Sequence, residues 1–108
     1  GLEEYAAAYE AVTGIESNAQ DLLKKGECIY YNERIINAMN KFDAHDDDLP
    51  DRFFKEAGSS TNNIQIPPID RDAFLDARKK YYHIRGLTSN GLPCREKAQE
   101  LGLLWNNL

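Results

Sequence analysis

The sequence predicts an all-α fold, a compact bundle of about four helices plus a short one, joined by a loop that contains glycine, proline and asparagine. Three observations support this prediction. Apolar residues recur at helical spacing over several long segments, capping residues and glycines stand at the ends of those segments, and no stretch alternates with a period of two for long enough to indicate a strand. With 108 residues the chain has the length of one domain, so we expect residues 1–108 to form a single helical domain.

The first helix is predicted over residues 2–12, where apolar side chains share one face: Leu2, Tyr5, Ala8, Tyr9 and Val12. Gly14 is the expected stop, because glycine accepts the left-handed conformation that closes a helix.

The second and longest helix is predicted to start at a capping box formed by Ser17 and Gln20 and to run to about Asn40. Glu33 and Asn37, four residues apart on this helix, have the spacing of a surface hydrogen-bond pair. The apolar positions expected to face the core are Leu22, Leu23, Ile29, Tyr30, Ile36 and Met39.

The stretch "DDLPDRFF" predicts an acidic cap, a proline in the first helical turn, and a short helix that carries Phe53 and Phe54. Residues 58–69, "GSSTNNIQIPPI", are typical of a loop or an extended crossing.

A further helix is predicted from the cap Asp70 to the stop Gly86. After a tight turn at "SNG", the last short helix, "REKAQELG", ends at Gly102. The apolar contacts expected from the longer of these two helices are Phe74, Leu75, Tyr81, Tyr82 and Ile84.

Composition excludes several classes of protein. A formal net charge of −5 disfavours nucleic acid or an anionic membrane as a partner, and no apolar run has the length of about 20 residues that a membrane-spanning helix needs. Cys28 and Cys94 lie far apart, so we expect reduced thiols in a cytoplasmic protein. Because Met39 is the only methionine, residue 1 is not an initiator, and we expect the chain to be a piece of something longer.

The run His45, Asp46, Asp47 and Asp48 is the first candidate for chemistry. Four consecutive residues cannot all converge on one metal ion, and no calcium-loop pattern follows. We therefore interpret the acids as capping and turn residues before the helix that begins near Pro50.

Other candidates have equally plain explanations. A solvated helix face explains the basic residues Arg78, Lys79, Lys80 and Arg85 better than a phosphate site. His83 lies near the end of a helix, where a positive charge is favourable. Cys94 has no adjacent base and stands at a helix cap. The residues alone thus predict no catalytic, cofactor-binding or metal-binding site.

The order of the motifs resembles that of one family. "AVTG" at 11–14, "DLLKKGECIYYNERIINAMNKFDAHDDDLPDRF" at 21–53 and "YYHIRGLTSNGLPCREKAQELGL" at 81–103 are similar to the carboxyl-terminal helical region of the aldehyde ferredoxin oxidoreductases. In that family the region typically reads "AVTGW", "ERIxNLERxFN", "DDxLPxRF" and "YYxxRGWDxxGxPTxEKLxxLGL". The resemblance covers nearly the whole chain.

The resemblance implies a parent enzyme that oxidises aldehydes to carboxylic acids, passes electrons to ferredoxin, and carries a tungsten or molybdenum pterin and a 4Fe–4S cluster. It assigns no cofactor, metal or catalytic residue to this chain, because Cys28 and Cys94 do not match the family's cluster cysteines. The remainder of the parent is the implied partner. The residues that match the motifs are expected to be structural: Glu33, Arg34, Asn37, Asp46, Asp47, Leu49, Pro50, Arg52 and Phe53.

The sequence also departs from the family. At 37–42 it has "NAMNKF" where the family commonly has "NxREGF", so an arginine, an acid and a glycine are lost. Ile15 and Leu87 stand where tryptophans are expected.

Three hypotheses remain. The first is an excised carboxyl-terminal domain of such an oxidoreductase, inactive alone. The second is a free-standing helical module that buries an apolar face against another protein, and the third is a small metal-dependent enzyme that uses Asp46 and Asp47. An excised domain should expose apolar side chains and could self-associate through them. The candidates for this exposure are Tyr5, Tyr9, Ile36, Met39 and Trp105.

Overall fold

The computed structural model describes residues 1–105, so the last three residues of the predicted domain lie outside it. The described residues form five α-helices and a small hairpin, which confirms the all-α prediction. The helices are α1 (Leu2–Thr13), α2 (Ala19–Met39), α3 (Arg52–Lys55), α4 (Arg71–Arg85) and α5 (Arg95–Glu100). Within this part of the chain, no helix is both long and apolar enough to cross a membrane.

The predicted loop at 58–69 contains a small antiparallel hairpin. Strand β1 (Gly58–Ser59) pairs with β2 (Gln65–Ile66), and a 3₁₀ turn at Thr61–Asn63 joins them. Two residues per strand are too few to produce an alternating pattern, so periodicity could not reveal the hairpin. Asn62 and Asn63 both have positive φ, at 72° and 60°, which asparagine tolerates better than most residues.

Local signals predicted most of the helix ends correctly. Gly14 closes α1 with φ at 74°, and its amide donates to the Glu10 carbonyl at 2.8 Å. Asp70 caps α4 by accepting from the Ala73 amide at 3.0 Å, and Gly86 ends that helix with φ at 71°.

The predicted start of α2 is wrong by one residue. The capping box is formed by Asn18 and Asp21, because Asn18 has the extended backbone of an N-cap and its side chain accepts from the Asp21 amide at 2.9 Å. The Asp21 carboxylate accepts in turn from the Asn18 amide at 3.0 Å. Ser17 is buried, and its hydroxyl has no hydrogen-bond partner among the described residues.

The predicted core face of α2 is also wrong. Tyr31 and Ile35 are the buried residues of this helix, whereas Ile29 and Ile36 are 63% and 49% exposed. Ile29 and Ile36 are seven residues apart and so share a face, which is the side opposite to Tyr31 and Ile35. The hydrophobic stripe therefore marks a face of α2 that is exposed to solvent in the described structure.

The core is small for a chain of this length. It is one cluster around α2, α4 and α5, and its buried members are Tyr31, Ile35, Ala44, Tyr82, Leu87, Ala98 and Leu101. The radius of gyration is 18.5 Å, whereas a globule of this length has about 13 Å. The accessible surface is 8332 Å², against about 6,100 Å² for a self-contained protein of this mass. The helices therefore pack with much of their apolar surface uncovered.

The five side chains that were expected to be exposed differ in their exposed fraction. Tyr5, Ile36 and Met39 are exposed at 72%, 49% and 67%, in agreement with the prediction. Tyr9 and Trp105 are half-buried.

Lys41 occupies a position that suits glycine. The Lys41 amide donates to the Ala38 carbonyl, and the Phe42 amide donates to the Asn37 carbonyl, both at 3.0 Å. This pair of bonds is the Schellman motif, which needs a left-handed residue just after the helix, and Lys41 has φ at 71°. At the end of α5 the same two bonds form around Gly102, whose φ is 74°. Position 41 therefore requires a left-handed backbone conformation, which the family's glycine adopts easily. Lysine adopts the same conformation here at a steric cost.

We predict that Lys41→Gly stabilises the protein by about 1 kcal/mol, because glycine avoids the steric cost of the left-handed conformation. Lys24→Gly is the matched control: Lys24 lies inside α2, where the same change should cost about 1 kcal/mol. Chemical denaturation of both variants measures the free energy of unfolding. A destabilising effect of Lys41→Gly would show that the strain does not exist.

Candidate functional site: the Asp47 network

The best-formed polar cluster lies where α2 and α4 flank the turn at residues 43–49. Arg34 on α2 donates two hydrogen bonds to the Asp47 carboxylate, from Nη1 to Oδ1 at 3.0 Å and from Nη2 to Oδ2 at 2.8 Å. Tyr82 on α4 donates its hydroxyl to the same Oδ2 at 2.7 Å. Arg34 Nη2 also donates to the Gly91 carbonyl at 2.5 Å. We call Arg34, Asp47, Arg78, Tyr82 and Gly91 the Asp47 network.

Arg78 completes the network from the α4 side. Its Nη1 donates to the carbonyl oxygens of Ala44 and Asp47, at 2.8 Å and 3.0 Å. The guanidinium carbons of Arg34 and Arg78 each lie 5.8 Å from the centre of the Tyr82 ring, within the range of a cation–π contact. Both guanidinium groups thus contact the buried Tyr82 ring, while Arg34 pairs with the Asp47 carboxylate and Arg78 binds backbone carbonyl oxygens of the turn.

Gly91 is required at its position in the network. Its φ is 74°, and a Cβ atom there would lie 2.8 Å from the Tyr82 hydroxyl and 3.0 Å from Arg34 Nη2. A side chain at 91 would therefore strain the backbone and displace both donors to Asp47.

Charge and burial shift the pKa values of Asp47, Arg34 and Tyr82. Hydrogen bonds from Arg34, and then from Tyr82, hold the pKa of the Asp47 carboxyl below its usual range, and the same ion pair raises the pKa of Arg34. Burial, followed by the bond to Asp47, raises the pKa of Tyr82 to about 12. Because the pKa of Asp47 is lower in the folded state, the stabilisation is complete above the unfolded pKa of about 3.9 and is lost as pH falls through the native pKa.

The rest of the acidic run has other partners. Asp48 accepts two hydrogen bonds from Arg71, at 2.5 Å and 2.8 Å, and these bonds lower the pKa of the Asp48 carboxyl. Asp46 accepts from the Asp43 amide at 2.9 Å and so forms the predicted turn. The interpretation of the run as helix caps is wrong for Asp47 and Asp48, whose partners lie on α2 and α4.

A groove of about 560 Å³ opens beside the network, between α2, the 43–49 turn and α4. Six of the nine residues expected to be structural line this groove: Glu33, Arg34, Asn37, Asp46, Asp47 and Leu49. Pro50, Arg52 and Phe53 do not. Among the described residues no hydrogen bond joins Glu33 to Asn37, so the predicted surface pair is not formed.

Sequence reasoning missed Tyr31, the residue that joins α2 to α5. Its hydroxyl donates to the Gly86 carbonyl at 2.8 Å and accepts from the Cys94 amide at 2.8 Å. The Tyr31 side chain is completely buried. The pair "YY" at 30–31 was the available signal, since adjacent helical residues point in directions about 100° apart and only one could face the core.

The side chains of the described residues do not supply the ligand set of a metal cofactor. A 4Fe–4S cluster needs four ligands, usually cysteines, and the sequence has two cysteines, both free. The Cys28 thiol is half-buried and faces the Leu101 carbonyl at 3.6 Å. Within residues 1–105 no group of three or more His, Cys, Asp or Glu side chains could hold a metal ion.

Comparison with known proteins agrees with the family resemblance of the sequence motifs. The family described as "Aldehyde ferredoxin oxidoreductase, domains 2 & 3" matches residues 1–103. The tungsten-containing aldehyde ferredoxin oxidoreductase of Thermococcus kodakarensis is 33% identical over 107 residues, and that of Pyrococcus furiosus is 31% identical over 108 residues. Each match covers 95% of this chain and 16% of the relative, so the chain spans about a sixth of the length of these proteins.

We predict that Tyr82→Phe destabilises the protein by about 1–2 kcal/mol at neutral pH, because it removes a partly buried hydrogen bond to a charged acceptor. Tyr81→Phe is the matched control, since the Tyr81 hydroxyl bonds only to Tyr30 within the described residues and Tyr81 is 41% exposed. Denaturation at a series of pH values measures both. The cost of Tyr82→Phe should shrink as pH falls through the native pKa of Asp47, and a cost independent of pH would contradict the assignment.

Proposed function

The chain belongs to the aldehyde ferredoxin oxidoreductase family, and we propose that it is a helical domain that packs against the cofactor-carrying region of such an enzyme and is not catalytic alone. The observation that carries this proposal is the match of domains 2 & 3 to residues 1–103. In this role the domain helps to exclude water from the active site and to shape the substrate channel.

The whole enzyme, on this proposal, oxidises aldehydes to carboxylic acids and transfers the electrons to ferredoxin. Tungsten is the metal that the names of the relatives print. The pterin and the 4Fe–4S cluster follow from the family resemblance, and both would be held by residues outside this chain. Molybdenum is the alternative metal.

Uncovered apolar surface supports a packing role. Ile29, Ile36 and Met39 on α2 are all about half exposed or more. These side chains lie within an arc of about 80° on the helix, so they form one face. Covering such a face against another domain would recover the hydrophobic free energy that the isolated chain lacks.

The motif residues hold this domain in shape, in our proposal. Arg34 and Asp47 join α2 to the turn, and Leu49, Pro50, Arg52 and Phe53 continue that turn into α3. Residues 1–108 would then act as one helical unit at the carboxyl-terminal end of the enzyme. The two free thiols support a cytoplasmic location.

The free-standing interaction module is the second candidate, because the same open faces would also suit an unrelated partner or self-association. The two hypotheses differ in what the reading frame contains. Close-spaced cluster cysteines upstream of Gly1 support the oxidoreductase, whereas a start codon just upstream supports the module.

The division of labour can be tested with the complete enzyme and with residues 1–108 alone. We expect the complete enzyme to contain tungsten or molybdenum and to reduce ferredoxin with an aldehyde, and the isolated chain to bind no metal and to show no activity. Elemental analysis and a ferredoxin-reduction assay measure this. Stoichiometric uptake of a tungsten or molybdenum pterin by the isolated chain would contradict the proposal.

A further inference from the structure

Residues 57–69 form a hairpin that projects from α3, and together with α3 we call them the hairpin arm. These thirteen residues are the longest uncharged stretch of a sequence in which 29% of residues are charged. All of them are exposed. A surface loop of this length would ordinarily carry charge. Its three isoleucines, Ile64, Ile66 and Ile69, are all exposed, so this part of the surface is suited to being covered by another segment.

The base of the hairpin arm is firmly held. The Phe54 and Phe74 rings meet edge to face at 5.4 Å, and the Arg71 guanidinium lies 4.7 Å from the Phe54 ring centre. The Ile69 amide donates to the Phe53 carbonyl at 2.9 Å, which returns the end of the hairpin to α3. The arm is therefore presented in a defined position on α4.

The tip and the inner side of the arm are exposed in the structure of residues 1–105. Phe53, Ile66 and Ile69 are 43%, 48% and 39% exposed, and they line a cleft of about 460 Å³ between α3 and the hairpin. Only two residue pairs join the strands, and a hairpin of that size is marginal in water by itself. Natural proteins protect such open strand edges with charge or cover them. The two strands carry no charged residue, and the nearest charges of the cleft are Arg52 and Glu56.

We propose that the hairpin arm is the element that inserts into the remaining polypeptide of the same enzyme, with the cleft around Ile66 as its docking site. This inference rests on the proposed function. The occupant is a segment of the same polypeptide that places apolar side chains against Phe53, Ile66 and Ile69 and polar groups beside Arg52 and Glu56. It lies in the part outside the matched region, which is about five sixths of each relative. A tethered segment meets the arm at an effective concentration in the millimolar range, which favours it over a second copy of the chain.

Hydroxyl-radical footprinting of the complete enzyme tests which face is covered. We expect Phe53, Ile66 and Ile69 to be oxidised about tenfold more slowly than in the denatured enzyme. That protection should not depend on enzyme concentration. Side chains that remain half exposed would be slowed only about twofold.

Two variants sharpen the test. Ile66→Lys places a charge in the cleft and should restore fast labelling of Phe53 and Ile69. Gln65→Lys is the matched control, since successive side chains on a strand point to opposite faces and Gln65 does not line the cleft. It should leave labelling unchanged, and an equal effect of both variants would overturn the proposal.

The remaining outcomes separate this inference from the proposed function. Fast labelling of the arm with slow labelling of Ile36 and Met39 would mean that the domain docks through α2, which overturns the arm proposal and leaves the proposed function intact. Fast labelling of both faces would overturn both. Protection of the arm that appears only as the enzyme dimerises would assign the arm to a second copy and overturn the proposal.

Discussion

The described structure depends on the carboxylate of Asp47. Arg34 and Tyr82 supply three hydrogen bonds to it from two different helices, and Arg34 extends the connection to the Gly91 carbonyl. In a chain with a large core such a cluster would be one contribution among many. Here the buried apolar residues are few, so charged hydrogen bonds supply much of the directional contact that holds α2, the 43–49 turn and α4 together.

This arrangement explains how a loosely packed chain can still present defined surfaces. Tyr31 acts at the second junction, where its hydroxyl joins the end of α4 to the start of α5. Outside these two junctions, the faces of α1 and α2 and the hairpin arm carry apolar side chains with no cover within the described residues. A firm interior junction combined with open exterior faces is what a domain needs when its remaining stability comes from packing against a larger protein.

The sequence predicted features that depend on residues close together in the chain, and it did not predict features that depend on distant residues. Helix ends are set by residues within four positions of one another, so Gly14, Asp70 and Gly86 could be identified from the sequence. The partners of Asp47 lie 13 and 35 residues away, and no local pattern distinguishes them from helix caps. The core face of α2 was misassigned for a related reason: its most regular apolar stripe faces away from the core seen here. Lys41 is an intermediate case, since the departure from the family pattern was visible but its backbone cause needed the structure.

A double-mutant cycle between Arg34→Gln and Asp47→Asn in the complete enzyme tests the central role of this ion pair most directly. Each single substitution leaves one charged group partly buried without its partner, so we expect each to destabilise the protein. The account predicts a coupling free energy of about 1.5–3 kcal/mol above pH 5. Additive effects, with a coupling below about 0.5 kcal/mol, would contradict it.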